Sequence, residues 1–129
     1  MTLSPADRLA ILDLLTRADA AASARDVDGY LSLLTADMVL DGEQGTYRGT
    51  SAMRAALSAV WATEPQASLH LTLNPLIDAG EQPGRAVARS VLLIVTPGPP
   101  PALAATARIT QDLRQEDGQW KISRRTVSP

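Results

Sequence analysis

Ser68-Leu69-His70-Leu71-Thr72-Leu73-Asn74 alternates leucine with a polar residue at every step. An extended chain throws successive side chains to opposite faces, so this stretch predicts a strand with His70, Thr72 and Asn74 on one face and three leucines on the other. Helical periodicity is absent from here onward. Residues 69–78, 85–96, 104–114 and 120–127 are long β-tolerant runs separated by Gly/Pro-rich or Asp-Gly turns, which predicts an antiparallel meander. Pro97-Gly98-Pro99-Pro100-Pro101 cannot lie in a central strand and reads as a stiff connection between two of them.

Upstream the pattern is helical. Ser4-Pro5-Ala6-Asp7 combines an N-cap, a proline at the first helical position and an acid in the first turn. Leu9, Leu12, Leu15, Asp19 and Ala22 follow at helical spacing, with Ile11, Leu14 and Ala18 beside them, so the first helix is expected to run to about Ala24. Asp26 caps a second, shorter helix in which Tyr30, Leu33 and Leu34 share a face, ended by Thr35-Ala36-Asp37. Residues 38–41 read as a short strand, Gly42 to Gly45 as a turn and residues 46–48 as the returning hairpin partner. Thr50 or Ser51 caps a third helix with Met53, Ala56, Leu57, Val60 and Trp61 on its buried side, closed by Glu64-Pro65. Three helices followed by a meander give an α+β layout, a cone-shaped barrel in which three N-terminal helices pack on a curved, mostly antiparallel sheet around a pocket.

Composition narrows the function. The 129 residues make one domain, 1–129, and 45% hydrophobic against 20% charged residues favour a packed core. A net charge of -2 gives no electrostatic footprint for nucleic acid or an anionic membrane. Without cysteine, and with a single histidine, the chain has no thiolate metal site, thiol nucleophile or two-histidine metal motif, so no metal or other cofactor is expected. No unbroken apolar run opens the chain, and a cytoplasmic location is the expectation.

A family resemblance rests on the residues themselves. The order of a first helix, Arg25-Asp26-Val27-Asp28-Gly29-Tyr30, Leu33-Leu34-Thr35-Ala36-Asp37, Gly45-Thr46-Tyr47-Arg48-Gly49, His70, then Glu116-Asp117-Gly118-Gln119-Trp120-Lys121-Ile122 with Arg124-Arg125, resembles SnoaL-like proteins of the nuclear transport factor 2-like superfamily. Polyketide cyclases, scytalone dehydratase, ketosteroid isomerase, limonene epoxide hydrolase and non-catalytic binding or assembly subunits share that shape. The resemblance implies a pocket for a small hydrophobic substrate or ligand and cofactor-independent proton transfer next to a carbonyl by a lyase, isomerase or cyclase. The alternative it implies is a non-catalytic ligand-binding or assembly module.

His70 is the candidate catalytic base, since dehydratase-like relatives carry a catalytic histidine on this strand, with Thr72 and Asn74 orienting the substrate. The alternative is a strand histidine that is solvent-exposed or satisfied by one carbonyl. In those relatives an acid late in the first helix, preceded by a tyrosine, partners the histidine. Here Ser23 and Ala18 hold those positions, and Asp19, one residue on, is expected at the pocket rim. Asp112 is the second catalytic candidate, since cyclases and isomerases of the superfamily carry an acid at a similar place. Alternation puts Arg108, Thr110, Asp112 and Arg114 on one face, either in the pocket, with Arg108 binding substrate, or as a solvated row of ion pairs. Tyr47 and Trp61 are candidate pocket aromatics, and Trp120 is expected in the core. Asp41 and Glu43 read as turn acids. One of Arg124 and Arg125 reaches the cone interior to hold an anion, and alternation leaves open which. Relatives commonly dimerise through the outer sheet face, and apolar residues on both sides of residues 85–96 agree with a homodimer.

Overall fold

The chain enters its first helix through a reciprocal cap. Ser4 Oγ accepts the Asp7 N–H at 3.0 Å, and the Asp7 carboxylate accepts the Ser4 N–H. The computed structural model describes residues 2–129, as α1 (Pro5–Ser23), α2 (Val27–Leu31), β1 (Leu34–Gly42), β2 (Gly45–Arg48), α3 (Gly49–Thr63), β3 (Leu69–Ala79), β4 (Arg85–Thr96), β5 (Ala102–Glu116) and β6 (Gln119–Ser128). The six strands form one sheet in the order β2-β1-β6-β5-β4-β3, with three helices packed against it. Every neighbouring pair is antiparallel except β1 and β6. The expected α+β architecture is therefore the observed one.

Three local expectations differ. In α1 the buried stripe is Ile11, Leu14, Leu15, Ala18, Ala21 and Ala22, while Leu9 and Leu12 face solvent. The second helix stops at Leu31, because Leu34 is claimed by the sheet. It lies beside Ile122 of β6, and the Leu33 carbonyl accepts the Ile122 N–H at 2.9 Å. Strand pairing thus overrides a local helical pattern. Helix α3 begins at Gly49 with no side-chain cap from Thr50 or Ser51. Gly49 has φ 82°, a left-handed conformation that glycine adopts without strain, and the chain turns there directly from β2 into α3.

One core cluster runs from α1 and the sheet to the cavity wall, where Tyr30, Met53, Leu57 and Trp61 belong to it. Ile11, Leu14 and Leu15 of α1 meet Leu113, Trp120 and Ile122, and the Trp120 indole N–H donates to Asp7 at 3.2 Å. Ala86 and Ala88 of β4 belong to the same cluster. Toward its C-terminal end α1 presents Ala18, Ala21 and Ala22 instead of leucines, and Ala22 already lines a cavity. Small side chains cannot fill the volume under α2 and α3, so the wide end of the cone stays open.

Candidate active site

β3 carries His70 and Thr72 inward, and each meets a polar partner from a helix or its terminus. The His70 backbone N–H donates to Ser23 Oγ at 2.9 Å, and the Thr72 N–H and hydroxyl donate to the two oxygens of Asp19 at 2.6 and 2.8 Å. The His70 ring is buried, and its Nε2 lies 2.7 Å from Oε2 of Glu64, the residue that caps the end of α3. Glu64 is equally enclosed, with 10% of its side chain exposed against 7% for His70. Arg25 also pairs with that carboxylate, at 3.2 Å, and anchors itself on Ser68 Oγ at 2.6 Å and the Ala22 carbonyl at 2.8 Å. Its φ of 56° places it in the turn after α1, from which it reaches all three groups.

The cavity has a volume of about 350 Å³, in the size range of small-molecule sites. Asp19, His70, Glu64 and Arg125 are among its polar residues, and Leu40, Met53, Leu57, Trp61, Leu92 and Ile94 are among its apolar walls. The turn from Gly42 to Gly45 and the segment Ser128-Pro129 also line it. Burial raises the Asp19 carboxyl above the ordinary aspartate value, partly opposed by its hydrogen bonds from Thr72 and by the charges of Arg125 and His70. Asp41 is held low by the Thr46 hydroxyl, despite some burial, with help from its pair with Arg124 on β6. Among the described residues no group of three or more His, Asp or Glu side chains is arranged to hold a metal ion. No helix there is long and apolar enough to cross a membrane.

Of the residues expected at the site, His70, Tyr47 and Trp61 line the cavity, and Thr72 is turned inward to hold Asp19. Asn74 is not with them. It has φ 53° in a bulge between Leu73 and Leu76, and Pro75, which has no N–H to give the ladder, follows it. The bulge breaks the alternation and leaves Asn74 exposed. Asp112 and Arg108 are on the wrong face of β5. Ile109 and Leu113 are buried in the interior and take Gln111 with them, so the even-numbered residues between them point out. Arg108 is exposed, and Asp112 lines a separate depression with Arg85 and Ser123. The pair of apolar residues at 109 and 113 was the signal for this orientation.

Arg125 is the arginine that enters the cavity, where its Nη1 donates to the Tyr30 hydroxyl at 2.8 Å, while Arg124 turns to Asp41. Glu64 was not foreseen, since in the sequence it reads only as the helix-ending residue before Pro65. Asp19 had a clearer signal, an acid set within an apolar helical stripe. Glu43 reaches the cavity mouth from the turn where it was expected.

Comparison with known proteins agrees with this fold. A structure of a protein of unknown function with a cystatin-like fold from Nostoc punctiforme PCC 73102 has a TM-score of 0.89 and 25% identity, covering 98% of this chain and 93% of that one. A nuclear transport factor 2-like protein of unknown function from Pseudomonas putida KT2440 has a TM-score of 0.83 at 19% identity, over 98% and 88% of the two chains. A candidate scytalone dehydratase from Novosphingobium aromaticivorans DSM 12444 has a TM-score of 0.78 at 18% identity, over 95% and 83%. No curated protein sequence matches the chain. The SnoaL-like domain family matches residues 4–126, nearly the full length, and the chain belongs to that family.

Proposed function

We propose that this protein is a cofactor-independent enzyme that moves a proton at a carbon next to a carbonyl, in a cyclisation, isomerisation or elimination of water, on a hydrophobic polycyclic or polyketide-like substrate. The buried pair of His70 and Glu64 in the cavity wall carries the reading. With Nε2–H donated to Glu64, Nδ1 is left with its lone pair to accept a proton, and the carboxylate stabilises the imidazolium that results. The electron pair released from carbon moves onto the carbonyl oxygen. Asp19 is the second group able to exchange a proton, because burial favours its protonated form. Tyr47 and Trp61 supply flat apolar surface against which a ring system can be oriented. Family membership and the likeness to a candidate dehydratase support the class of chemistry.

One observation favours the alternative, a non-catalytic ligand-binding module. Ala18 and Ser23 occupy the helix positions where dehydratase-like relatives carry a tyrosine and an acid, and Ser23 is engaged by the His70 N–H. Glu64 offers the missing carboxylate from a different element, which is why the enzyme reading is preferred. Deuterium incorporation next to the carbonyl of α-tetralone and anthrone, followed by mass spectrometry in heavy water, tests it. Parent protein is expected to accelerate exchange, His70→Gln to lose about 100-fold or more of that rate, and Asp112→Asn to stay within about twofold of the parent. Ligand binding without exchange, or exchange untouched by His70→Gln, would overturn proton transfer by this histidine.

A further inference from the structure

Arg125 is the one arginine among the described residues that lines the cavity. Arg17, Arg25, Arg54, Arg89, Arg114 and Arg124 each pair with an aspartate or glutamate. Arg125 lines the cavity with no such ion pair among the described residues, and its neighbour across β5 is the uncharged Gln111. Its hydrogen-bond partner is the Tyr30 hydroxyl oxygen, which accepts from Nη1 at 2.8 Å. That oxygen's own hydrogen has no acceptor among the described residues, so it is available to a ligand. Tyr30 is itself buried and held edge-on against Trp61, with ring centroids 5.7 Å apart and planes at 83°. The acids that also line the cavity have other partners or lie apart: Glu64 is taken by His70 and Arg25, both oxygens of Asp19 accept from Thr72, Glu43 stands on the exposed turn at the mouth, and none of the three is within ion-pair distance of Arg125.

A cation in an apolar wall without a counter-ion is costly, and a ligand that brings the missing charge recovers that cost. From this we infer that Arg125 and Tyr30 form an oxyanion subsite, and that the ligand is an aromatic molecule of about two or three fused rings bearing one anionic oxygen group, a carboxylate or an ionised phenol. The guanidinium supplies the charge and its remaining N–H donors. Tyr30 supplies an O–H donor whose position is set by Arg125 on one side and Trp61 on the other. The inference rests on the cavity being the ligand site of the proposed function, and it specifies which substrates the cavity accepts. In the reaction itself the same pair would hold the oxygen onto which negative charge moves.

2-Naphthoate and 2-naphthamide have nearly the same shape and differ in charge, so calorimetric titration of both at pH 7 tests the subsite. The parent is expected to bind naphthoate about tenfold or more tighter than naphthamide. Arg125→Met should bring the two affinities within about twofold of each other. Tyr30→Phe should weaken naphthoate several-fold and leave naphthamide unchanged, and this variant keeps the ring packing should Arg125→Met fail to fold. His70→Gln should retain the preference for naphthoate, so a failure of the proton-transfer reading would be seen separately. Equal affinities in the parent, a preference that survives Arg125→Met, or no binding of either probe at millimolar concentration would overturn the subsite.

Discussion

Strands β3 and β5 both carry a row of polar residues at every second position, and they end on opposite faces of the same sheet. In β5 the outcome is the ordinary one: Ile109 and Leu113 are buried, and Arg108, Thr110, Asp112 and Arg114 lie on the other side. In β3 it is inverted. His70 and Thr72 point into the cone while Leu69, Leu71 and Leu73 remain 38–41% exposed. Hydrophobic burial alone would have turned β3 over, since three leucines outweigh two polar residues. What holds it is the set of partners lined up opposite: Ser23 for the His70 N–H, Asp19 for Thr72 and Glu64 for the imidazole. The face of a strand is thus decided by what the opposing layer offers, and a polar row goes inward where every member is satisfied.

The sharpest way to break this comparison is to remove the partner that secures the inverted strand. Glu64→Ala leaves His70 and Arg25 without their shared carboxylate in an enclosed site, and a loss of about 3 kcal/mol in stability is expected. Urea unfolding of the two proteins measures it. Asp112→Ala, in the ordinarily oriented strand, should cost less than about 0.5 kcal/mol in the same experiment. Similar losses from the two substitutions would mean that the inward polar row is not what holds β3.

The second consequence lies outside the cone. Pairing sets Leu69 beside Val95 and Leu103, Leu71 beside Leu93 and Thr106, and Leu73 beside Val91 and Arg108, so the exposed apolar strip crosses three strands with its one charge at the end. We propose that a second copy of this chain covers it. A two-fold axis near Leu71 and Leu93 lays apolar rows on apolar rows and puts Arg108 at the rim, as in self-complementary interfaces. Light scattering at micromolar concentration should show a two-chain species for the parent. Leu71→Glu, which places two like charges at the centre of the interface, should weaken the pair by about 100-fold and leave single chains. A single-chain parent would end the proposal.

The same contrast explains how much could be read in advance. The element order, the meander and the helices on one face follow from periodicity and turn residues, because those are local signals in each segment. Leu34 follows the local helical pattern but joins the sheet, because its strand partner, Ile122, lies at the far end of the sequence. At the site His70 was legible from alternation, Trp61 from helical spacing, and Tyr47 as an aromatic on the hairpin strand. Asn74 was not, although Asn-Pro is a readable interruption of a strand, and its αL conformation ends the alternation there. The family resemblance puts Asp112 in the pocket, whereas its own neighbours Ile109 and Leu113 take the inward positions and turn it out. Glu64 was beyond local reading, because its contact with His70 depends on how the chain turns between α3 and β3.

The finest test separates two aspartates that the fold shifts in opposite directions. Burial raises Asp19 above the ordinary aspartate value, and the hydrogen bonds from Thr72 only partly offset this. A group raised in the folded state contributes stability that is whole below its unfolded value of about 4 and is lost as pH rises through the folded value. Asn at this position keeps an acceptor for the Thr72 N–H and offers the Thr72 hydroxyl a donor, but cannot ionise. The melting temperature of Asp19→Asn relative to the parent should therefore rise between pH 4 and pH 7, in thermal unfolding at one-unit steps. Asp37 behaves in the reverse sense. Hydrogen bonds from Arg114 lower it to about 2, so its contribution is present above the unfolded value and is lost as pH falls through about 2. That contribution is small, because Asp37 is mostly exposed and its pair is screened by solvent. The two windows lie on opposite sides of the unfolded value, so a slope between pH 4 and 7 that vanishes in Asp19→Asn belongs to the inward strand. A difference that stays flat over that range would mean Asp19 remains ionised in the cavity, and the charge of Arg125 would then have a counter-ion of its own.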